Sequence, residues 1–219
     1  MTIASADEPP DASTASEWTA ARLEGVVVPR SWRATIDAFD AWADDQLERL
    51  RGNPVADRVF NTASTVGDFS AIWHITGVSR LIGGGDRRRQ AVVLATLLGA
   101  ESLLVNQGIK RLFRRTRPTE QGDARYEVRR PSTSSFPSGH ASSALFAATV
   151  LSSWTGKRTA PLWYGMAAVV ATSRAYVRIH HASDVVGGAA VGLALGTLAV
   201  RSGATRAGMH PRTRRLRSP

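Results

Sequence analysis

Cysteine is absent from the 219-residue chain, which excludes a disulfide framework, thiolate zinc ligands, a thiol nucleophile and thiol redox chemistry together. Acidic residues are scarce beyond residue 58: residues 59–219 hold 7 against 22 basic ones, whereas residues 1–58 hold 11 against 6. The sequence has no HExxH pair and no acidic cluster of the kind that holds Mg²⁺ or Ca²⁺, so its chemistry is expected to need no metal and no cofactor. The first 17 residues, MTIASADEPPDASTASE, lack the basic start and apolar core of a secretory signal. They also lack the apolar side chains needed to offset the entropy of ordering, so residues 1–30 are expected to form a disordered acidic tail.

The formal net charge of +10 and mean hydropathy of −0.15 describe, on average, a basic soluble protein of the kind that binds nucleic acid. The distribution says otherwise, because long charge-free runs alternate with short arginine-rich ones, as in a membrane protein with basic loops. Five apolar segments are present: Val59 to Ile82, Ala91 to Ile109, Ala141 to Trp154, Ala160 to Thr172 and Val185 to Val200. The last is about 24 Å of helix at 1.5 Å per residue, slightly short of a full span, and flanking turns complete it. Gly188, Gly192 and Gly196 recur every four residues and form one stripe on which another helix can pack closely. Residues 31–58 include Trp32, Ile36, Phe39, Trp42 and Leu47 roughly on one helical face, with Asp37, Asp40, Asp44 and Asp45 largely elsewhere. This pattern reads as an amphipathic helix on a membrane surface or packed on the rest of the protein.

Residues 59–200 therefore read as an all-α integral membrane bundle of five transmembrane helices, followed by a basic tail over 201–219. Arg87 to Arg89, Lys157 with Arg158, and the tail arginines fall on one side, which the positive-inside rule makes cytoplasmic in a multi-pass cell-membrane protein. The 110–140 and 173–184 connections then lie on the extracytoplasmic side, together with the N-terminal region.

Three strings stand on that side. Lys110 and Arg117 are seven apart, closed by Pro118; Arg114 and Arg115 between them read as interfacial positive charge. Pro137-Ser138-Gly139-His140 opens an apolar helix, where free backbone N–H groups and the helix dipole form an anion site. Ser173-Arg174 is followed by His180 and Asp184, and the last two, four apart, share a face on a helix. Each string fits part of a phosphoryl-transfer site. Lys110, Arg117 and Arg174 neutralise phosphate oxygens; Ser138 and Gly139 cradle them. His180, oriented by Asp184, is the nucleophile, and His140 protonates the leaving oxygen and then activates water.

Together the strings resemble the complete three-part signature of the type 2 phosphatidic acid phosphatase superfamily, with no substitution at any signature position, and the Thr65-Val66-Gly67-Asp68 turn is similar to the family as well. The resemblance implies an all-helical, haloperoxidase-like core and a phosphohistidine on His180. It implies the same roles for His140, Asp184 and the phosphate-binding residues, and no metal in phosphatase members. Membrane members often have six spans, one more than is found here. Helix 31–50 is too acidic to be the sixth, so either the N-terminal 58 residues lie on the catalytic side or the orientation is inverted and catalysis faces the cytoplasm; the charge count outside the signature favours the former.

The expected activity is removal of phosphate from a lipid phosphate, foremost a polyprenyl diphosphate of the undecaprenyl type. Phosphatidate, phosphatidylglycerophosphate and a prenyl-phosphoryl sugar phosphate are the alternatives. A vanadate haloperoxidase and a non-catalytic protein binding anionic lipid are the readings from other classes. The partners expected are the lipid substrate and membrane lipids, with no nucleic acid. Arg125, Arg129 and Arg130 are placed either on a second phosphate or on anionic headgroups. Glu101 is expected to have a structural partner, Asn106 among the candidates, and His74 to be a core residue or an interhelical hydrogen-bond partner. His181 is given no catalytic role.

Overall fold

The computed structural model describes residues 30–119, 125–126 and 133–208. The expected acidic tail, Arg129, Arg130 and most of the basic tail lie outside the described residues. Within them the chain is all-helical: α1 Arg30–Glu48, α2 Pro54–Gly67, α3 Ala71–Leu81, α4 Gly85–Leu103, α5 Gly139–Thr155, α6 Ala160–Tyr176 and α7 Ala182–Arg201, with a final 3₁₀ turn over Ala204–Gly208.

Local chemistry sets the starts. Asn53 caps α2, accepting from the backbone N–H of Val55 at 3.0 Å and of Ala56 at 3.2 Å, and Pro54 occupies the first turn, where it lacks only an N–H that would be orphaned anyway. Ser138 caps α5 from the anion-binding string.

α5 is the central helix and packs on both α6 and α7. Ala141, Ala144, Ala147, Ala148, Val150 and Leu151 are buried along it, and small side chains let its neighbours approach. The α7 glycine stripe is the other half of that contact. A Cβ at Gly188 would lie 2.3 Å from the Ser138 carbonyl oxygen, one at Gly192 2.1 Å from that of Ser142, and one at Gly196 2.9 Å from Thr149 Cβ.

Among the described residues two stretches are long and apolar enough to cross a bilayer, Gly85–Leu112 and Ala182–Arg201, and each is only 22% buried within the protein. Their outward residues, among them Val92, Leu103, Leu104, Val186 and Leu198, are exposed apolar side chains suited to lipid. At one end of the bundle Trp154 Nε1 donates to the Thr205 carbonyl and Arg80 Nη2 to Gln90, while the three signature strings gather at the other end.

The first apolar segment differs from expectation. It is two helices, α2 and α3, separated by a 3₁₀ turn over Asp68–Ser70 in which Phe69 (φ 53°) and Ser70 (φ 59°) are left-handed. Two consecutive non-glycine residues in that region cost about 1 kcal/mol or more each, and the break faces Asp68 into the site. α1 packs its acidic side against the end of the bundle where the three strings gather, while Trp32, Phe39 and Trp42 point outward, 67%, 39% and 59% exposed.

Candidate active site

α4 does not end cleanly. A wider π turn over Leu104–Gly108 and a 3₁₀ turn over Ile109–Leu112 carry the chain to Lys110, which is buried. Residues 113–119 then run without helix over the catalytic end. There the Arg117 guanidinium donates to the Ile179 carbonyl at 2.9 Å and to the Thr133 carbonyl at 3.2 Å, and Nη1 lies 3.2 Å from His180 Nε2.

Arg174 closes α6 from inside. It is 1% exposed, and its Nη1 donates to Ser64 Oγ at 2.5 Å. Nε and Nη2 are buried with no protein acceptor. Two guanidinium nitrogens buried without a protein acceptor favour a polar or anionic ligand, because a donor buried without an acceptor is costly. Ser138 sits at the head of α5, its backbone N–H donating to the Asp184 carbonyl at 3.0 Å. Gly139 packs against Asn106, whose Oδ1 would lie 3.1 Å from a Cβ there.

His140 Nε2 lies 2.9 Å from Asp68 Oδ1, and Arg174 Nη1 lies 3.7 Å from the same oxygen. Gly67 makes room for the imidazole, since a Cβ at that position would come within 2.7 Å of His140 Cδ2.

His180 and Asp184 come together, but not on a shared helical face. The N–H groups of Ile179 and His180 both donate to the Arg174 carbonyl at 3.1 Å, Arg178 is left-handed (φ 55°), and α7 begins only at Ala182. His180 thus sits in a tight turn before the helix, and Asp184 lies in the first turn of α7. Its Oδ2 is 3.6 Å from His180 Nδ1, and Ser135 Oγ bridges the two, 2.5 Å from Asp184 Oδ2 and 3.4 Å from His180 Nδ1. Burial holds the His180 imidazole down to about 3; Asp184 opposes this, and Arg117 and Arg174 add to it. The ring is therefore neutral at ordinary pH, with a lone pair available.

Five residues that sequence reasoning left out belong to this neighbourhood: Asp40, Ser64, Asp68, Arg115 and Ser135. Arg115 is no interfacial charge; its side chain is 8% exposed and pairs with Asp40 and Asp184. The spacing of Asp40, Asp44 and Glu48, every fourth residue on α1, was the available signal that this helix docks on cations. Arg125 pairs with Glu48 at 3.0 Å. Glu101 has a structural partner, but it is Ser142, while Asn106 donates to Ser102. His74 is exposed on α3, not in the core. No group of three or more metal-binding side chains occurs among the described residues.

Residues 90–207 match the family model described as the PAP2 superfamily. The chain is 35% identical over 136 residues to the decaprenylphosphoryl-5-phosphoribose phosphatase of Mycobacterium tuberculosis, covering 62% of this chain and 73% of that protein. To the enzyme of the same name from Mycolicibacterium smegmatis it is 33% identical over 141 residues, covering 64% and 74%. The fold is shared with the crystal structure of a transmembrane PAP2-type phosphatidylglycerolphosphate phosphatase from Bacillus subtilis, at a TM-score of 0.60 and 22% identity over 85% of this chain and 90% of that one. With the family model spanning more than half of its length, the chain belongs to the PAP2 superfamily and is a phosphatase.

Proposed function

We propose that the protein removes the terminal phosphate from a lipid-linked phosphate through a phosphohistidine on His180. The observation that carries this reading is the pair of buried cations Arg174 and Lys110, with Arg174 Nε and Nη2 lacking a protein acceptor, and the partly buried Arg117 lying 3.2 Å from the neutral His180 ring. The phosphate binds between Arg174, Lys110, Arg117 and the Ser138–Gly139 helix start. His180 Nε2 attacks phosphorus, forming the N–P bond as the bond to the lipid-side oxygen breaks, and Asp184 stabilises the imidazolium that results. His140, held by Asp68, donates a proton to the leaving oxygen. It then takes one from water, whose oxygen attacks phosphorus and frees His180 and inorganic phosphate.

Among the candidate lipids the mycobacterial relatives favour a prenyl-phosphoryl sugar phosphate, a phosphate monoester, over the polyprenyl diphosphate expected foremost from sequence. Arg125, one of the three arginines considered for a second phosphate, pairs with Glu48 instead. The reading includes a multi-pass cell-membrane protein with its site on the extracytoplasmic face, opposite the Arg87–Arg89 and Lys157–Arg158 end.

The test is phosphate release by the detergent-solubilised protein from a panel: a prenyl-phosphoryl sugar phosphate, a polyprenyl diphosphate, phosphatidate and phosphatidylglycerophosphate. The sugar phosphate is expected to give the highest kcat/KM, and His180→Ala to abolish turnover. Full activity of His180→Ala overturns the mechanism, and preference for another lipid overturns the substrate.

A further inference from the structure

We propose that Asp40 and Arg115 are positioning residues that hold the Asp184 carboxylate in register with His180, which makes the N-terminal helix α1 a working part of the active site. Neither residue belongs to the three signature strings as functional positions.

The geometry is a continuous buried chain. Arg115 Nη1 lies 2.6 Å from Asp184 Oδ1 and 2.7 Å from Ser183 Oγ, and Nη2 lies 2.6 Å from Asp40 Oδ2. Asp40 in turn accepts from the Ser183 backbone N–H and hydroxyl, both at 2.8 Å. The other Asp184 oxygen accepts from Ser135 Oγ at 2.5 Å and from the His181 N–H at 2.9 Å. Both carboxylate oxygens are thereby fixed, with the side chain fully buried.

Electrostatics requires each link. A buried carboxylate beside a neutral imidazole lacks a counter-charge, and Arg115 supplies it. Arg115, its side chain buried, also pairs with Asp40, so the alternation of −, + and − leaves one net negative charge behind His180, which suits the imidazolium formed there. A role limited to anchoring α1 would not need this contact. Asp44 and Glu48 already tie the helix to Arg51 and Arg178 without touching Asp184.

The inference rests on the phosphatase reading and is tested on the full-length protein in detergent, with whichever lipid of the panel the wild type turns over fastest. Arg115→Gln, Asp40→Asn, Asp184→Asn and the double variant Arg115→Gln/Asp184→Asn are compared for kcat and KM. Arg115→Gln is expected to lower kcat by about tenfold to a hundredfold, with KM held within about twofold, because it supports His180 and does not touch phosphate. Asp40→Asn is expected to act in the same direction more weakly. In the Asp184→Asn background the loss from Arg115→Gln should shrink to about twofold or less, since the charge it serves is gone.

Wild-type kcat in Arg115→Gln, a rise in KM alone, or a loss that is fully additive with Asp184→Asn contradicts the proposal. If Arg115→Gln cannot be recovered as a monodisperse protein, Asp40→Asn, nearly identical in shape, decides by the same kcat and KM criteria. A wild type that is inactive on the whole panel, or a His180→Ala variant that stays fully active, sinks the phosphatase reading and takes this inference with it. An active wild type, an inactive His180→Ala and an unaffected Arg115→Gln sink the inference alone.

Discussion

Replacing Gly188 with alanine adds one methyl group where α7 crosses the head of α5. That carbon would lie 2.3 Å from the Ser138 carbonyl oxygen and 3.1 Å from the Ser138 nitrogen and carbonyl carbon. To restore an ordinary contact of 3.4 Å the two backbones must part by about 1.1 Å. The oxygen that must move already accepts from the Ser142 N–H at 3.0 Å, and the Ser138 N–H donates to the Asp184 carbonyl at 3.0 Å. The displacement therefore reaches the anion-binding turn and the Asp184 backbone together. Overpacking of this kind costs about 1–3 kcal/mol, against which the helix propensity of alanine returns about 1 kcal/mol. A displacement near 1 Å in a group that positions phosphate costs on the order of a hundredfold in rate. Gly188→Ala should thus lose activity far more than stability, read as phosphate release and as Tm in the same detergent. Gly165→Ala is the control, because nothing lies within 4 Å of its added carbon. It should keep full activity and gain up to about 1 kcal/mol of helix stability. Wild-type turnover in Gly188→Ala, or an equal loss in Gly165→Ala, refutes the reasoning.

Other consequences can be measured alongside. Arg174→Lys keeps a positive charge but loses the planar fork whose Nε and Nη2 are unspent, and kcat/KM should fall by about tenfold to a thousandfold; an unchanged value removes Arg174 from phosphate binding. Asp68→Asn leaves the shape of the His140 contact and removes its charge, so kcat should drop about tenfold with little change in KM, and an unaltered kcat denies Asp68 a part. His180, neutral when folded down to about pH 3, takes up a proton on unfolding below about 6.5. It therefore costs stability as pH falls through that window, at up to about 1.4 kcal/mol per unit. The Tm of the wild type should fall more steeply between pH 6 and pH 4 than that of His180→Gln, and parallel slopes contradict a buried neutral ring.

The order and spacing of Lys110, Arg117, Ser138, His140, Arg174, His180 and Asp184 marked the candidate site before any fold was known, because phosphate chemistry would need those groups whatever holds them. The glycine stripe on α7 was equally readable, since the helical period fixes which residues share a face. Other features were not legible. Gly67-Asp68 marks a turn in the first apolar segment, but at positions 69 and 70 no glycine or asparagine signals that Phe69 and Ser70 are both left-handed and that the segment splits there. Arg114 and Arg115 are adjacent residues of the same type in a non-helical stretch, where no periodicity tells the buried one from the exposed one. The spacing of His180 and Asp184 suited a helix, yet the turn at Arg178 and the new start at Ala182 place them together by another route. Partners more than a hundred residues apart, such as Arg174 with Ser64 and Arg178 with Asp44, follow from packing alone.

The central claim is that His180 carries the phosphoryl group. The most direct measurement is a rapid acid-free quench of the solubilised enzyme with a lipid substrate labelled at its terminal phosphate, followed by peptide mapping. The expected result is a protein-bound label that is stable to base and lost in acid, as an N–P bond requires, on the peptide containing His180. It should be absent in His180→Gln, and in His140→Gln the label, once formed, should be lost more slowly, because water is not activated. Label on another residue, or turnover in single-cycle conditions without any label at His180, would contradict it.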